Sequence, residues 1–172
     1  GLARLSRTDR LTELNNRGYW EECLKTEFAR VQRSKHPSTL IMFDIDHFKK
    51  YNDTWGHAAG DAALQAVARA VRERIRGDDR LCRYGGEEFV MLLPNTDVET
   101  GYQEMERFRR LVAGHRFLAG SEVPAAVNIT ISIGVAGYRP NLSESQLLVE
   151  ADQALQDAKQ AGKNQVCQYR VA

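Results

Sequence analysis

Apolar and polar positions follow two different periods along the chain, and these periods separate predicted helices from predicted strands. In residues 16–35 and 58–76 apolar side chains recur every three or four positions, which indicates two helices with one buried face each. Residues 38–45 are almost continuously apolar before the chain turns acidic at Asp44 and Asp46, as in a buried strand that emerges at a sheet edge. Residues 127–135 alternate with a period of two, which predicts a further strand.

The remaining pattern completes the fold class. Residues 80–93 hold two short apolar runs separated by a Gly-Gly pair, the composition of a β-hairpin. Helices are predicted at 98–112 and from an N-cap at Ser143 to Gly162, with a last strand at 165–169. Because a hairpin is incompatible with a purely parallel sheet, we expect an α+β fold with a largely antiparallel central sheet of about five strands, surrounded by helices.

Charge and cysteine content narrow the classes of partner and compartment. The 172 residues carry 24 Lys and Arg against 23 Asp and Glu, a formal net charge of +1. The net charge is too small to attract nucleic acid over the whole surface, so we expect no nucleic-acid partner. The three cysteines, Cys23, Cys82 and Cys167, are widely spaced, which argues against a disulfide framework and favours a cytoplasmic location. No apolar run is long enough to span a membrane.

The length of 172 residues suits one domain. The first residues differ from the rest in that they are typical of a connecting segment. The opening run from Leu2 to Arg7 is typical of the end of a connecting helix. We interpret residues 1–14 as the end of a linker or entrance segment from an upstream sensory or regulatory domain, and residues 15–172 as the functional domain. The full-length protein could then be anchored in a membrane.

The sharpest local feature is a turn that joins two glycines to two carboxylates, Gly85-Gly86-Glu87-Glu88. The bare backbone of the glycines lets a phosphate approach closely. If the strand that ends at Asp44 lies beside this hairpin, Asp44 and Glu87 can converge as hard oxygen ligands for Mg²⁺. Taken alone, such a turn is more commonly a plain hairpin with solvated glutamates, but a second polar cluster at residues 44–53 follows the buried strand.

These motifs resemble the GGDEF family of diguanylate cyclases, and the resemblance covers nearly the whole chain. It rests on the following segments: Asp9-Arg10-Leu11-Thr12 with Asn16-Arg17, Phe43-Asp44-Ile45-Asp46-His47-Phe48-Lys49, Asn52-Asp53, Gly56-His57 with Gly60-Asp61, Gly85-Gly86-Glu87-Glu88-Phe89, Ser132-Ile133-Gly134-Val135, and Ala151-Asp152-Gln153-Ala154-Leu155 with Ala158-Lys159, Gly162 and Asn164. It implies a nucleotide-cyclase or polymerase-palm-like fold and a GGDEF catalytic domain at residues 15–172. It also implies a bacterial signalling enzyme that condenses two GTP into cyclic di-GMP with release of two pyrophosphates.

The resemblance also assigns the reaction centre. Asp44, Glu87 and the main-chain carbonyl of Ile45 would hold two Mg²⁺ ions per half-site, for which Mn²⁺ could substitute. Glu87 is also the usual candidate to accept the proton of the attacking 3′-hydroxyl. Because a metal-bound carboxylate is a poor proton acceptor, the adjacent Glu88 is an alternative base, or else it orients the turn.

For the substrate, the resemblance places the guanine of GTP against Asn52 and Asp61. A carboxylate can accept from both N1–H and the exocyclic amine of guanine, so GTP should be preferred over ATP. Asp61 could instead cap the helix that follows. His57 resembles a substrate-side histidine, although a structural role is the default for any single histidine.

Phosphate binding would fall to Lys49, to the backbone N–H groups of His47 and Phe48, and to Lys159 and Lys163. Since Lys159 and Lys163 are four residues apart, we expect them to share one helical face. The family commonly has Arg at the position of Lys163, and Lys binds phosphate as a point charge rather than as a fork. Solvated surface lysines are the alternative, more so for Lys163 than for Lys159.

Arg76 and Asp79 have the RxxD spacing of the family's inhibitory site for cyclic di-GMP, with Arg107 as a speculative further contact. An ion pair at a helix end is the ordinary explanation of this spacing alone. The chain has one guanine-reading set, whereas the product contains two guanines. We therefore expect a homodimer in which two copies face each other, and a nearly inactive monomer.

Two other functions compete with the cyclase. A non-catalytic receptor would bind cyclic di-GMP at Arg76 and Asp79, and a degenerate glycine turn would favour it. A cyclase that makes a mixed guanine and adenine dinucleotide would be favoured by a smaller neutral residue in place of Asp61. The intact turn and Asp61 favour the diguanylate cyclase.

Overall fold

The computed structural model describes residues 6–114 and 128–171. Within these ranges, none of the helices is long and apolar enough to cross a membrane. The elements follow in the order α1 (Arg17–Ser34), β1 (Ser38–Ile45), α2 (Phe48–Trp55), α3 (His57–Arg72), β2 (Arg80–Arg83), β3 (Glu88–Pro94), α4 (Val98–Gly114), β4 (Ile131–Gly137), α5 (Glu144–Gln160) and β5 (Val166–Gln168).

The strands form one sheet in the order β2-β3-β1-β4-β5. The central strand β1 runs antiparallel to β3 on one side and to β4 on the other, and β2 runs antiparallel to β3. Only β5 is parallel to its neighbour β4 among the described strands, because α5 carries the chain back across the sheet between them. The predicted α+β class with a largely antiparallel sheet is therefore confirmed.

Helices cover both faces of the sheet, and β1 contributes to both cores. Ile41, Phe43 and Ile45 belong to the core that includes α3 and α4, whereas Leu40 and Met42 belong to the core that includes α1 and α5. Because side chains alternate along a strand, the next residue on the α1–α5 face is Asp44. A carboxylate thus continues an apolar row at the end of the central strand.

The helix ends follow from the sequence. The side chain of Asn16 accepts the N–H of Tyr19 and caps α1, and Ser143 forms a reciprocal capping box with Gln146 at the start of α5. Such caps satisfy N–H groups that have no partner within the helix.

Three elements differ from the sequence prediction. The helix expected at 58–76 ends at Arg72, where the chain begins to turn towards β2. The strand expected at 127–135 is β4, Ile131–Gly137, and Val127 lies outside the described residues. The sequence pattern did not reveal α2, because its eight residues bury one side chain, Phe48, and so give almost no apolar period.

Candidate active site

The end of β1 and the turn between β2 and β3 lie side by side. The β1–β3 register pairs Phe43 with Phe89 and Asp44 with Glu88. Glu87 precedes β3 in the turn, and it lies near enough for its charge to raise the pKa of Asp44. The structure therefore brings Asp44, Glu87 and Glu88 together, with Glu88 directly across the ladder from Asp44.

Asp44 is the most buried acid of this group, with 3 % of its surface exposed. Its Oδ2 lies 2.5 Å from Nζ of Lys159, which reaches it from α5. Burial raises the pKa of Asp44 to about 6, against the lowering effect of Lys159, and the charges of Glu87 and Asp46 add to the rise. Burial also raises the pKa of Glu87. A further positive charge at this site would stabilise the ionised form of both carboxylates and so lower their pKa values.

The donor set fits a magnesium ion. Asp44, Glu87 and the main-chain carbonyl of Ile45 offer hard oxygen ligands. No group of three or more His, Cys, Asp or Glu side chains within residues 6–114 and 128–171 is arranged to hold a metal ion. Mg²⁺ commonly uses one or two carboxylates and takes its other ligands from water and substrate phosphates. The site therefore fits an ion that binds together with a nucleotide.

Arg83 holds the glycine turn from outside. Its Nε and Nη2 donate to the carbonyl of Gly86 at 3.1 and 2.8 Å, and its Nη1 lies 3.4 Å from the carboxylate of Asp9. Asp9 also accepts from the N–H and the hydroxyl of Thr12. The entrance segment is thus tied to the glycine turn, a connection that the sequence pattern did not reveal because Asp9 and Arg83 are 74 residues apart.

The predicted guanine-reading residues lie on α2 and α3. The side chain of Asn52 rests against Gly60, where a Cβ would come 1.7 Å from its Oδ1. That Oδ1 is buried and has no hydrogen-bond partner among the described residues. Asp61, next to Gly60, is exposed and lies inside α3, so it does not cap this helix, whose N-cap is Gly56; His57 is exposed as well. An orphaned acceptor beside an exposed carboxylate suits a base rich in N–H donors.

The predicted phosphate contacts lie at the start of α2. His47 is the N-cap residue of this helix and has a left-handed conformation, with φ 55° and no side-chain cap hydrogen bond within the described part of the chain. The first N–H groups of α2, at Phe48 and Lys49, have no partner within the helix and can face an anion. The Phe48 side chain is buried, so its contribution is restricted to the main chain, whereas the Lys49 side chain is exposed.

The expectation that Lys159 and Lys163 share a helical face is wrong. α5 ends at Gln160, and Gly162, with φ 123°, turns the chain before Lys163. Lys159 remains on the helix in contact with Asp44, while Lys163 lies in the turn that leads to β5.

The predicted inhibitory pair forms a tight turn before β2. Oδ2 of Asp79 accepts the main-chain N–H of Arg76 at 2.9 Å, and the Arg76 guanidinium lies 3.7 Å from Oδ1. The same guanidinium donates to the carbonyl of Pro94 at 3.2 Å and to the hydroxyl of Thr96. Asp79 and Arg107 line one cavity of about 370 Å³ between α3, β3 and α4. The structure therefore brings Asp79 and Arg107 to one cavity, whereas Arg76 adjoins it through Asp79 and is not among the lining residues.

Asp79 is itself an unsatisfied group. It is 7 % exposed, and its Oδ1 has no hydrogen-bond partner among the described residues. Burial raises the pKa of Asp79, and the N–H and charge of Arg76 oppose that rise.

Comparison with known proteins agrees with this geometry. Residues 6–165 match the family described as diguanylate cyclase, GGDEF domain, and the chain belongs to this family. It is 42 % identical over 159 residues to diguanylate cyclase DgcP of Pseudomonas aeruginosa. The aligned region covers 92 % of this chain and 23 % of that protein. It is 37 % identical over 169 residues to diguanylate cyclase A of Treponema denticola, and that alignment covers 96 % of this chain and 45 % of the relative. The chain thus spans less than half the length of these relatives.

Solved structures share the fold over almost the whole domain. The GGDEF domain of DgcB from Caulobacter crescentus in complex with c-di-GMP aligns with a TM-score of 0.93 and 31 % identity, over 99 % of this chain and 97 % of that one. The active GGEEF domain of a diguanylate cyclase from Vibrio cholerae aligns with a TM-score of 0.84 and 34 % identity, over 92 % of this chain and 99 % of that one. The second of these carries the same form of the signature turn as Gly85 to Phe89.

Proposed function

We propose that this domain is a magnesium-dependent diguanylate cyclase, which condenses two GTP into cyclic di-GMP and releases two pyrophosphates. One observation carries the proposal: Asp44, at the end of the central strand, pairs across the ladder with Glu88, next to Glu87, directly before the start of α2, which has no side-chain cap among the described residues. Carboxylates that can hold Mg²⁺ therefore lie beside main-chain N–H groups that can hold a triphosphate. The names of the relatives at 42 % and 37 % identity support the same activity.

Asp44, Glu87 and the Ile45 carbonyl hold the ions, two per half-site, and Mn²⁺ can replace Mg²⁺. When bound, the ions neutralise phosphate charge and polarise the α-phosphate for in-line attack. Either Glu87 or Glu88 accepts the proton of the 3′-hydroxyl. The position of Glu88 supports its candidacy, because it lies opposite Asp44 without being needed in the donor set.

Substrate binding divides between two sides of the site. The N–H groups of His47 and Phe48 bind the triphosphate together with three lysines, Lys49, Lys159 and Lys163. Guanine is read by Asn52 and Asp61, and His57 lies on the same exposed surface at the start of α3. The orphaned Oδ1 of Asn52 supports this assignment, since guanine brings the N–H donors that it lacks.

A second copy of the domain supplies the second GTP, so activity requires a homodimer that the upstream domain, linked through residues 1–14, would control. Cyclic di-GMP inhibits through Arg76, Asp79 and Arg107. The unpartnered Oδ1 of Asp79 supports this site, because a guanine N–H could satisfy it. We place the domain in the cytoplasm, where its substrate GTP is found.

The test is to incubate the protein, dimerised through a fused coiled coil, with GTP and Mg²⁺, and to measure cyclic di-GMP and pyrophosphate. Wild type should form both, and Glu87→Ala should form neither. Glu99→Ala, an exposed glutamate on α4, is the matched control and should keep full activity. Tight binding of cyclic di-GMP without turnover would reject the cyclase and favour the receptor.

A further inference from the structure

The second acid after β1, Asp46, has its hydrogen-bonding capacity used by the protein itself. It is 8 % exposed. Its Oδ1 accepts the hydroxyl of Ser132 at 2.6 Å, and its Oδ2 accepts the hydroxyl of Thr130 at 2.8 Å and the main-chain N–H of Asn164 at 2.9 Å. One carboxylate thus joins the end of β1, the start of β4 and the turn before β5.

The turn that Asp46 holds is one that the backbone does not favour unaided. Lys163 and Asn164 both adopt left-handed conformations, with φ 65° and 49°. Such conformations are uncommon for non-glycine residues, and lysine adopts them less readily than asparagine. Besides Asp46, Asn164 is held by Nη1 of Arg109, which donates to its Oδ1 at 2.9 Å. The N–H of Lys163 donates to the carbonyl of Ala158 at 3.0 Å.

These contacts connect the strand end that carries the proposed metal ligands to the turn that carries a proposed phosphate contact. Asp46 follows Asp44 and Ile45 on the same strand end, and through Asn164 it fixes the neighbouring Lys163. Any shift of the turn would move the Lys163 ammonium relative to Asp44. A lysine contacts phosphate as a single point charge, so its position decides how much it contributes.

We infer that Asp46 is a positioning residue that fixes Lys163 for the triphosphate and is not a metal ligand. This inference rests on the proposed function, since it assigns the nucleotide that Lys163 would contact. A carboxylate offers about four lone-pair sites, and the three donors that Asp46 already binds leave little capacity for a cation. Asp44, in contrast, has a lysine as its partner.

The test measures the binding of 3′-deoxy-GTP with Mg²⁺ by calorimetry, because this nucleotide lacks the attacking hydroxyl and is not turned over. Asp46→Asn replaces one carboxylate oxygen with an N–H₂ group, which faces one or two of the three donors, and it removes the negative charge. It should weaken binding about tenfold, the loss expected for a charged contact. In a Lys163→Ala background the same change should cost less than about twofold, since coupled residues are not additive. The Mg²⁺ concentration for half-maximal turnover should stay within about twofold of wild type.

Asp157→Asn makes the same change at an exposed position of α5 and should leave binding unchanged. If Asp46→Asn does not fold, Thr130→Val carries the test, because it removes one donor to Asp46 and leaves the contact between the Ser132 hydroxyl and the Asn164 N–H in place, with an expected loss of about threefold. The inference would be overturned if Asp46→Asn lowered the affinity for 3′-deoxy-GTP equally with and without Lys163. It would also be overturned if Asp46→Asn left this affinity unchanged, whether or not the Mg²⁺ requirement rose. A wild type that binds 3′-deoxy-GTP but makes no cyclic di-GMP from GTP would refute the proposed function alone.

Discussion

Two aspartates in this domain are buried and have raised pKa values, yet their surroundings differ. Asp44 is 3 % exposed and Asp79 is 7 % exposed, and desolvation is the main cause of the rise in both. Asp44 lies within reach of the charges of Glu87 and Asp46 and has Lys159 as a close ion-pair partner. Asp79 accepts the main-chain N–H of Arg76, and its other oxygen lies 3.7 Å from the Arg76 guanidinium without accepting a hydrogen bond from the described residues. The charges of Asp78 and Glu104 contribute to the rise in its pKa.

The difference indicates what each aspartate can bind. Several carboxylates around one lysine form a cluster whose repulsion a divalent cation would relieve. The buried Oδ1 of Asp79, which faces the Arg76 guanidinium but lacks a hydrogen bond among the described residues, suits an N–H donor such as one from a guanine base. Burial of an acid therefore does not identify a catalytic group by itself, because the neighbouring charges decide its role.

The largest expected contrast is in turnover. Asp44→Asn removes a metal ligand and should lower kcat about a thousandfold, since a metal contributes several kcal/mol to such a reaction. Asp79→Asn should keep kcat within about twofold, because Asp79 lies outside the reaction centre. Pyrophosphate release without cyclic di-GMP present measures both, and similar losses in the two variants would contradict the assignment.

The second contrast is in product inhibition. Arg76→Ala and Asp79→Asn should each raise the cyclic di-GMP concentration for half inhibition about 30-fold, the loss expected for a charge-assisted hydrogen bond. Arg72→Ala removes the same charge at the end of α3 and serves as the control. Inhibition that persists unchanged in both variants would place the inhibitory site elsewhere.

The pH dependence of metal use should follow Asp44. Its pKa in the folded protein is about 6, so protons compete with Mg²⁺ below that pH, and the Mg²⁺ needed for half-maximal activity should rise about tenfold per pH unit. Turnover against Mg²⁺ concentration between pH 5 and 8 measures this. A requirement that stays constant below pH 6 would show that Asp44 does not hold the metal.

Without metal, lowering the pH should stabilise the folded protein through Asp44, whereas it weakens Mg²⁺ binding. The folded pKa of Asp44, about 6, lies above its ordinary value of 3.8. Between these values the folded state binds more protons than the unfolded state, so the contribution of Asp44 to the free energy of unfolding falls as pH rises and is constant above pH 6. Urea unfolding in EDTA, as the difference between wild type and Asp44→Asn, should show this fall, and a rise would contradict it.

The smallest expected effect separates the two guanine sites. Gly60→Ala would force the Asn52 amide aside, because the new Cβ would lie 1.7 Å from its Oδ1. The KM for GTP should rise about fivefold, as expected for one hydrogen bond, with unchanged inhibition by cyclic di-GMP. Gly18→Ala, where the new Cβ would make only an ordinary contact of 3.8 Å with the Asn16 side chain, is the control. A parallel loss of inhibition would mean that the substitution perturbs the whole fold.

Elements with a continuous apolar run or a capping residue could be predicted from the sequence. The bounds of β1 agree with the predicted residues 38–45, because a strand buried on both faces is apolar at every position until it emerges. Ser143 caps α5 as predicted. The meeting of Asp44 with the glycine turn could also be predicted, since one hairpin had to pair with the buried strand.

Features set by distant contacts could not be predicted. Asp46 and Asn164 are 118 residues apart, and no local pattern indicates that this acid holds a turn rather than a metal. Arg83 likewise meets Asp9 only in the folded chain. The parallel orientation of β5 depends on the path of α5 across the sheet, which a three-residue strand does not reveal.

The most direct test of the shared metal site is a crystal structure with 3′-deoxy-GTP and Mn²⁺, using anomalous scattering to locate the ions. The account predicts peaks about 2.1 Å from carboxylate oxygens of both Asp44 and Glu87, next to the α-phosphate. Manganese bound to only one of these acids, or Lys159 still paired with Asp44 and no ion beside the nucleotide, would contradict it.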